Sequence, residues 1–326
     1  MLEMKYNLQL FANPNTNTTA SEGLSDEMKT YYSDYLIDNA TPELVHDQFG
    51  QKHPIPKNGG KTIEFRKFIP LGKALTPIQE GVTPDGQSLS VTKIEATVEQ
   101  YGNYVTLSDI VQLTAIDNTL VETTKLLGSQ AGMTLDTITR EVLNGGTSVI
   151  YSGGKDARAS LDENCKLTVD DIYRAARFLK SQNAPKIEGG YVAIIHPDVA
   201  YDLMRDDEWI DVHKYSATSE IFEGEIGKIG GVRFVETTEA KIFADGGAGG
   251  RDVYSTLVLG ANAYGVTELE GGGLQHIVKQ LGSGGTSDPL NQRGTAGWKA
   301  TKVAERLVES YMVRIESASS FESGAN

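Results

Sequence analysis

Residues 61 to 107 hold two stretches of apolar and polar alternation on either side of a turn, an arrangement that a single compact body has difficulty covering. In the first, Ile63, Phe65 and Phe68 are set against Glu64, Arg66 and Lys67; in the second, Ile94, Ala96 and Val98 are set against Glu95, Thr97 and Glu99. A period of two marks a strand. Gly81, Pro84, Asp85 and Gly86 supply turn chemistry between them, so arms at 61 to 80 and 88 to 107 would run 20 residues each. Fully extended, such arms reach about 65 Å. A globule of 326 residues has a radius of gyration near ~20 Å and is about 50 Å across, so the ribbon would project into solvent. A lone two-stranded ribbon is marginal in water. The expectation is that it lies on another copy of the chain, which places assembly ahead of catalysis. The alternative is a set of short strands broken at Pro70, Gly72 and Pro77.

The 39% hydrophobic content supports a real core, in one large domain or two ordinary ones. Thirty basic against 44 acidic residues give a net charge of −14 with no dense basic run, so the footprint that phosphate-backbone binding needs is missing. An acidic wall would repel nucleic acid and leave it mobile, which suits a container better than a reader. Cys165 is the single cysteine, so no intrachain disulfide is expected. No run of about 18 apolar residues suggests a membrane span, and Met1 to Ala12 does not read as a signal peptide.

Along the chain, Asn13 to Ser25 is rich in Asn, Thr, Ser and Gly, and Asp26 to Asn39 is a short helical candidate; together they read as an arm or a tail. After the ribbon, Ser108 and Asp109 open a helical region. Leu120, Thr124, Leu127, Ala131, Leu135, Ile138 and Val142 keep the helical period, which predicts a helix over 118–143 stopped by Gly145 and Gly146. Gly128 and Gly132 suggest close helix-to-sheet packing. Thr168 to Asp171 is a capping box for a helix running to Ser181, Tyr191 to Ile195 a buried strand ended by His196 and Pro197, and Asp198 to Met204 a further helix. Strands are expected at Val232 to Val235 and Leu257 to Val266. A loop-rich stretch at 271–297 precedes a closing strand pair, Trp298 to Val303 with Tyr311 to Ile315.

The motifs that could carry chemistry fall short. Gly60-Lys61-Thr62 lacks the leading glycine of a phosphate loop, where Ile55 stands, and precedes a strand. The glycines at 246, 247, 249 and 250 do not form a dinucleotide fingerprint. His46, His53, His196, His213 and His276 are scattered, with none at metal-ligand spacing to another histidine or to Cys165. Asp206, Asp207, Glu208, Asp211 and His213 form the one cluster that could hold a divalent cation, though charge clusters are usually solvated faces. Trp298 beside Arg293 and Lys299 is ordinary packing more readily than base stacking. No catalytic, cofactor-binding or metal-ligating residue is assigned.

Four blocks taken together are more specific. Tyr6 to Phe11 (YNLQLF), Ile195-His196-Pro197, Gly224 to Arg233 (GEIGKIGGVR) and Asp288 to Lys299 (DPLNQRGTAGWK) resemble the major capsid proteins of tailed bacteriophages, in the family typified by the coat protein of phage N4. The resemblance implies an α+β Hong Kong 97-like capsid fold. Its parts would be an N-terminal arm at 1–55, an extended β-hairpin loop at 56–107, a peripheral domain with a long spine helix at 108–159, an axial domain at 160–270 and a return to the peripheral domain at 271–326. It further implies self-assembly into hexamers and pentamers that form an icosahedral shell around double-stranded DNA, bound without sequence specificity, in the host bacterial cytoplasm. Portal, scaffold and decoration proteins would be partners. The rival readings are a nanocompartment shell of the same fold enclosing an enzyme, a metal-dependent α+β enzyme using the acidic cluster, and a surface or adhesion module.

Overall fold

A computed structural model describes residues 16–17, 45–56, 60–68, 71–78, 80–81, 83, 86–114, 119–210, 225–267, 274–285 and 288–326. The helical candidate at 26–39 and the segment holding Asp211 and His213 lie outside them. The chain divides into two compact units, one of residues 1–41, 100–132 and 272–301, the other of residues 42–99, 133–271 and 302–326.

The first four strands are β1 (Thr16–Asn17), β2 (Gln51–Lys52), β3 (Thr62–Phe68) and β4 (Val91–Thr97). β5 (Glu99–Ser108) leads into α1 (Asp109–Thr114) and then α2 (Thr119–Asn144), the 26-residue helix whose bounds fall one residue from the periodicity-based expectation. Gly145 and Gly146 follow its last residue. In the first unit, Thr16 and Asn17 of β1 run parallel to Thr106 and Leu107 of β5. On its other side β5 neighbours β14 (Arg293–Arg306), which pairs antiparallel with β13 (Gln275–Lys279), a strand inside the stretch expected to be loop. All five β13 side chains are exposed, so no apolar pattern announced it. Trp298 of β14 is buried and its indole N–H donates to Gln130 Oε1 at 3.2 Å, a packing role.

The second unit is built on a mixed seven-stranded sheet among the described residues. Its members are β6 (Val149–Tyr151), β7 (Tyr191–Ile195), β8 (Glu225–Ile229), β9 (Val232–Glu236), β10 (Ile242–Phe243), β11 (Val253–Leu259) and β15 (Met312–Ser317), in the spatial order β6-β15-β11-β7-β9-β8 with β10 beside β11. Every residue of β7, β11 and β15 is buried, as expected where both faces of a sheet are covered. On one face, Ile172, Ala175, Ala176 and Leu179 of α3 (Val169–Ser181) and Val199, Ala200 and Leu203 of α4 (Pro197–Met204) join Ala193, Phe234, Val258 and Ile315 in the main core. On the other, Leu143 of α2 packs with Ile194, Leu257, Leu259 and Met312. The capping box of α3 forms as expected, Thr168 receiving the Asp171 N–H. His196 caps α4 by accepting the Asp198 N–H at 3.2 Å, with Pro197 as the first helical residue.

Three expectations are corrected. Leu257 to Val266 is not one strand, because the chain leaves β11 at Gly260 and re-enters as β12 (Tyr264–Thr267), which pairs with the end of β14 and runs parallel to β2. The closing segments β14 and β15 are not partners; β15 pairs with β11 and β6. Gly128 and Gly132 do not admit a close neighbour, since a Cβ built on either meets nothing within 4 Å. Both lie off the stripe of Leu127, Ala131 and Leu135 that the helix buries.

Candidate assembly surfaces

β3 and β4 form a two-stranded sheet of their own, in register from Thr62↔Thr97 to Phe68↔Val91. Pairing therefore covers seven residues a side instead of 20, about 23 Å at the usual rise. The break follows the alternative reading. Residues 71 to 78, which contain Gly72 and Pro77, form no strand, and at the other end Glu99–Ser108 leaves the hairpin for β14. Val98 donates its N–H to Lys61 O at 2.9 Å and closes the root.

Within the ribbon, Glu64 accepts from Arg66 Nε at 2.6 Å and from Lys93 Nζ across the strands at 3.3 Å. The Arg66 hydrogen bond, then that of Lys93, holds its carboxyl below the usual carboxylate range. This charge is satisfied inside the hairpin. Beyond the paired residues four described apolar side chains are exposed: Leu75 is 82% and Ile78 76% exposed, and Leu71 and Leu89 are also exposed. Covering one such side chain is worth about 1.5–3 kcal/mol. Several exposed aliphatic side chains in one short segment make a candidate interaction surface.

The first unit also carries exposed apolar side chains. A cleft of about 370 Å³ is lined by Val105, Leu107, Val111, Leu126 and Leu127, and Ile110, Leu113 and Tyr104 are exposed.

The interior of the second unit holds paired charges. Asp136 on α2 accepts the backbone N–H of His46 at 2.8 Å and meets its ring Nδ1 at 2.6 Å. Next to it Asp47 accepts from Thr139 Oγ1 at 2.6 Å and from Lys302 Nζ, which also donates to Leu135 O at 2.8 Å. Tyr264 donates to His46 O, and its burial, with Asp47 and Asp136 nearby, pushes the phenol far up. Glu316 is fully buried between Arg158 and Arg314. Arg158 is raised by its hydrogen bonds to Glu316, and Arg314 is lowered by burial. The first two pairs tie His46 and Asp47 to Asp136 of α2 and Lys302 of β14. Arg314 and Glu316 lie inside because the Glu316 carboxylate is paired with both Arg314 and Arg158.

Two of the residues weighed for chemistry have partners inside the fold. Cys165 is buried against Asp162 at 3.3 Å, and burial raises its thiol. Asp206 accepts the backbone N–H of Val169 and of Glu208. No group of His, Cys, Asp and Glu able to hold a metal occurs among the described residues, and none of their helices is long and apolar enough to cross a membrane.

A family model for phage capsid proteins matches residues 91–305. The chain belongs to the phage capsid protein family. Among solved structures, this capsid protein is similar to the capsid of Ralstonia phage GP4, with a TM-score of 0.73 at 17% identity over 95% of this chain and 100% of that one. It is similar to the capsid of cyanophage P-SCSP1u, with a TM-score of 0.69 at 13% identity over 91% and 95%. It is also similar to the acid-stable capsid of Helicobacter pylori bacteriophage KHP30, at 0.61 and 11% over 98% and 100%. These likenesses give the α+β Hong Kong 97-like capsid fold. A segment of 129 residues is 32% identical to a 5'-nucleotidase of Vibrio vulnificus (strain CMCP6), covering 38% of this chain. The match spans only 22% of that curated relative, and no activity is carried over from it. The capsid protein is a structural component of the virion shell and not an enzyme.

Proposed function

We propose that this capsid protein assembles into hexamers and pentamers that close an icosahedral shell around double-stranded DNA, in the manner of the N4-type coat proteins. The observation that carries this reading is the β3–β4 hairpin, joined by backbone pairing to no other sheet among the described residues and ending in the exposed Leu71, Leu75, Ile78 and Leu89. A lone copy leaves those groups in water; a second copy laid beneath them removes them from it. In this reading 1–55 is the arm, 56–107 the loop that overlies a neighbour, 108–159 and 271–326 the peripheral domain, and 160–270 the axial domain around which capsomers close. Portal, scaffold and decoration proteins complete the particle, which assembles in the host bacterial cytoplasm. The net charge of −14 favours holding DNA as cargo without reading its sequence. Electron microscopy of the purified protein tests the proposal: closed shells or capsomers are expected, and a stable monomer at high concentration overturns it. Nuclease-protected DNA in particles from infected cells is expected, and an enclosed enzyme in its place would point to the nanocompartment reading.

A further inference from the structure

The hairpin is held to its own body at one notable point. Gly265, in β12, is paired on one side with Gln51 and on the other with Glu305, and its φ is not in the left-handed region. Backbone conformation therefore does not demand glycine here. Space does: a Cβ on Gly265 would lie 2.8 Å from Phe65 Cε1 and 2.9 Å from Phe65 Cζ, closer than real contacts permit. The Phe65 ring sits in the gap that the missing side chain leaves, with Leu307 beside it and the His53 ring edge-on at 6.1 Å. Around this contact lies a cleft of about 650 Å³, to which the hairpin contributes Ile63, Phe65 and Ile94 and the body Pro54 and Leu307. Among the described residues no backbone ladder ties β3 or β4 to another sheet, so the ribbon's inclination depends on side chains, and the cleft leaves room for other inclinations.

We propose that Phe65, seated on Gly265, is the positioning residue that sets the inclination of the hairpin and thereby the one copy-to-copy contact its loop makes, so that this pair governs the uniformity of the assembled particle. The inference rests on the shell-building reading. A small error in inclination is multiplied along a seven-residue ribbon and displaces Leu75 and Ile78 from their target on the neighbouring copy. Glycine with an ordinary φ accepts alanine locally, so Gly265→Ala perturbs the seat and not the strand conformation.

The test compares wild type, Phe65→Ala, Gly265→Ala, Phe65→Leu and the double variant Phe65→Leu/Gly265→Ala. Expected are far-ultraviolet circular dichroism unchanged in all five and particles of one size for wild type. The two alanine variants are expected to yield tubes, open sheets or mixed sizes, with closed shells down about tenfold. The double variant is expected to regain uniform particles, because the shorter side chain accommodates the added methyl. Where a variant gives no particles, spin labels at Ser88→Cys and Lys186→Cys report the inclination directly; a distance distribution broadened at least twofold is expected for Phe65→Ala. Alanine variants that build wild-type particles, or that keep the wild-type distance distribution, overturn the proposal. Failure of the wild-type chain itself to form particles would instead overturn the shell-building reading, and the spin-label comparison would still decide the role of Phe65.

Discussion

Arg158 and Glu316 meet through two parallel hydrogen bonds, each 2.7 Å, although Glu316 is wholly buried and the Arg158 side chain is one-third exposed. Arg314 flanks the same carboxylate at 2.8 Å. Removing one member of a buried ion pair strands the other charge, at a cost of about 3–5 kcal/mol. Glu316→Ala strands Arg314 in the interior, whereas Arg158→Ala leaves Glu316 with Arg314. Urea denaturation should show the larger loss for Glu316→Ala, by at least about 1 kcal/mol. Equal losses would mean that the two arginines do not share the carboxylate as the structure shows.

The Asp47 and Lys302 pair gives a second case, because Lys302 Nζ also donates to Leu135 O and Asp47 also accepts from Thr139. Lys302→Met is expected to destabilise by about 3 kcal/mol through the stranded Asp47. Pairing it with Asp47→Leu should recover half or more of that loss, since apolar replacement of a whole buried pair is often neutral. A double-mutant cycle by thermal unfolding checks both figures.

What the sequence shows of this fold depends on how each element is covered. α2 and α3 are legible to within a residue because one face packs and the other is wet, and the Thr168 and Asp171 pair announces its cap without tertiary help. β13 is silent because its side chains are all exposed, and the division of 257–266 into β11 and β12 is hidden because both are apolar. The hairpin is legible as alternation, but its length is not: strand-favouring residues such as Tyr101, Tyr104, Val105 and Thr106 follow it in Glu99–Ser108, although that segment pairs in another sheet. The ion pairs leave a signature only in three dimensions, as Asp47 and Lys302 are 255 positions apart.

Gly128 offers a test of the helix reading. A Cβ there meets nothing within 4 Å, and the residue lies ten positions into α2. Gly128→Ala should stabilise the isolated protein by about 0.5–1 kcal/mol through helix propensity. A loss of stability in chemical denaturation would show that the helix interior needs glycine at that point.

Two buried groups shape the pH dependence, His196 near neutrality and Asp202 in acid. Burial pushes the His196 imidazole below its ordinary 6.5, with Asp198 opposing. The unfolded chain then takes up a proton first as pH falls through 6.5, so stability drops from there until the folded ring also protonates. Burial would raise Asp202, but hydrogen bonds from Ser320 and Ser319 and the charge of Lys166 hold it below 3.8. Its contribution is present above 3.8 and is lost as pH falls through the folded value. Melting temperature should therefore be level above pH ~7 and decline in two stages. His196→Asn, which keeps a capping side chain without a titrating ring, should erase the upper stage and leave the lower one.

The exposed loop separates folding from assembly more sharply than any buried group. Leu75 and Ile78 are 82% and 76% exposed in a single copy, so Leu75→Asp and Ile78→Asp remove almost no intrachain contact. Surface changes of this type alter stability by no more than about 0.5 kcal/mol. In an assembled shell the same aspartates would carry charge into an interface that otherwise gains about 1.5–3 kcal/mol for each aliphatic group covered, and they would do so in every copy. The expected outcome is an unchanged unfolding midpoint together with loss of closed particles in sedimentation and electron microscopy, most complete in the double variant. Particles formed at wild-type yield by that double variant would show that the loop points into solvent in the shell as well, and the contacts that close it would then have to lie on the exposed Tyr104, Leu113 and Leu126 instead.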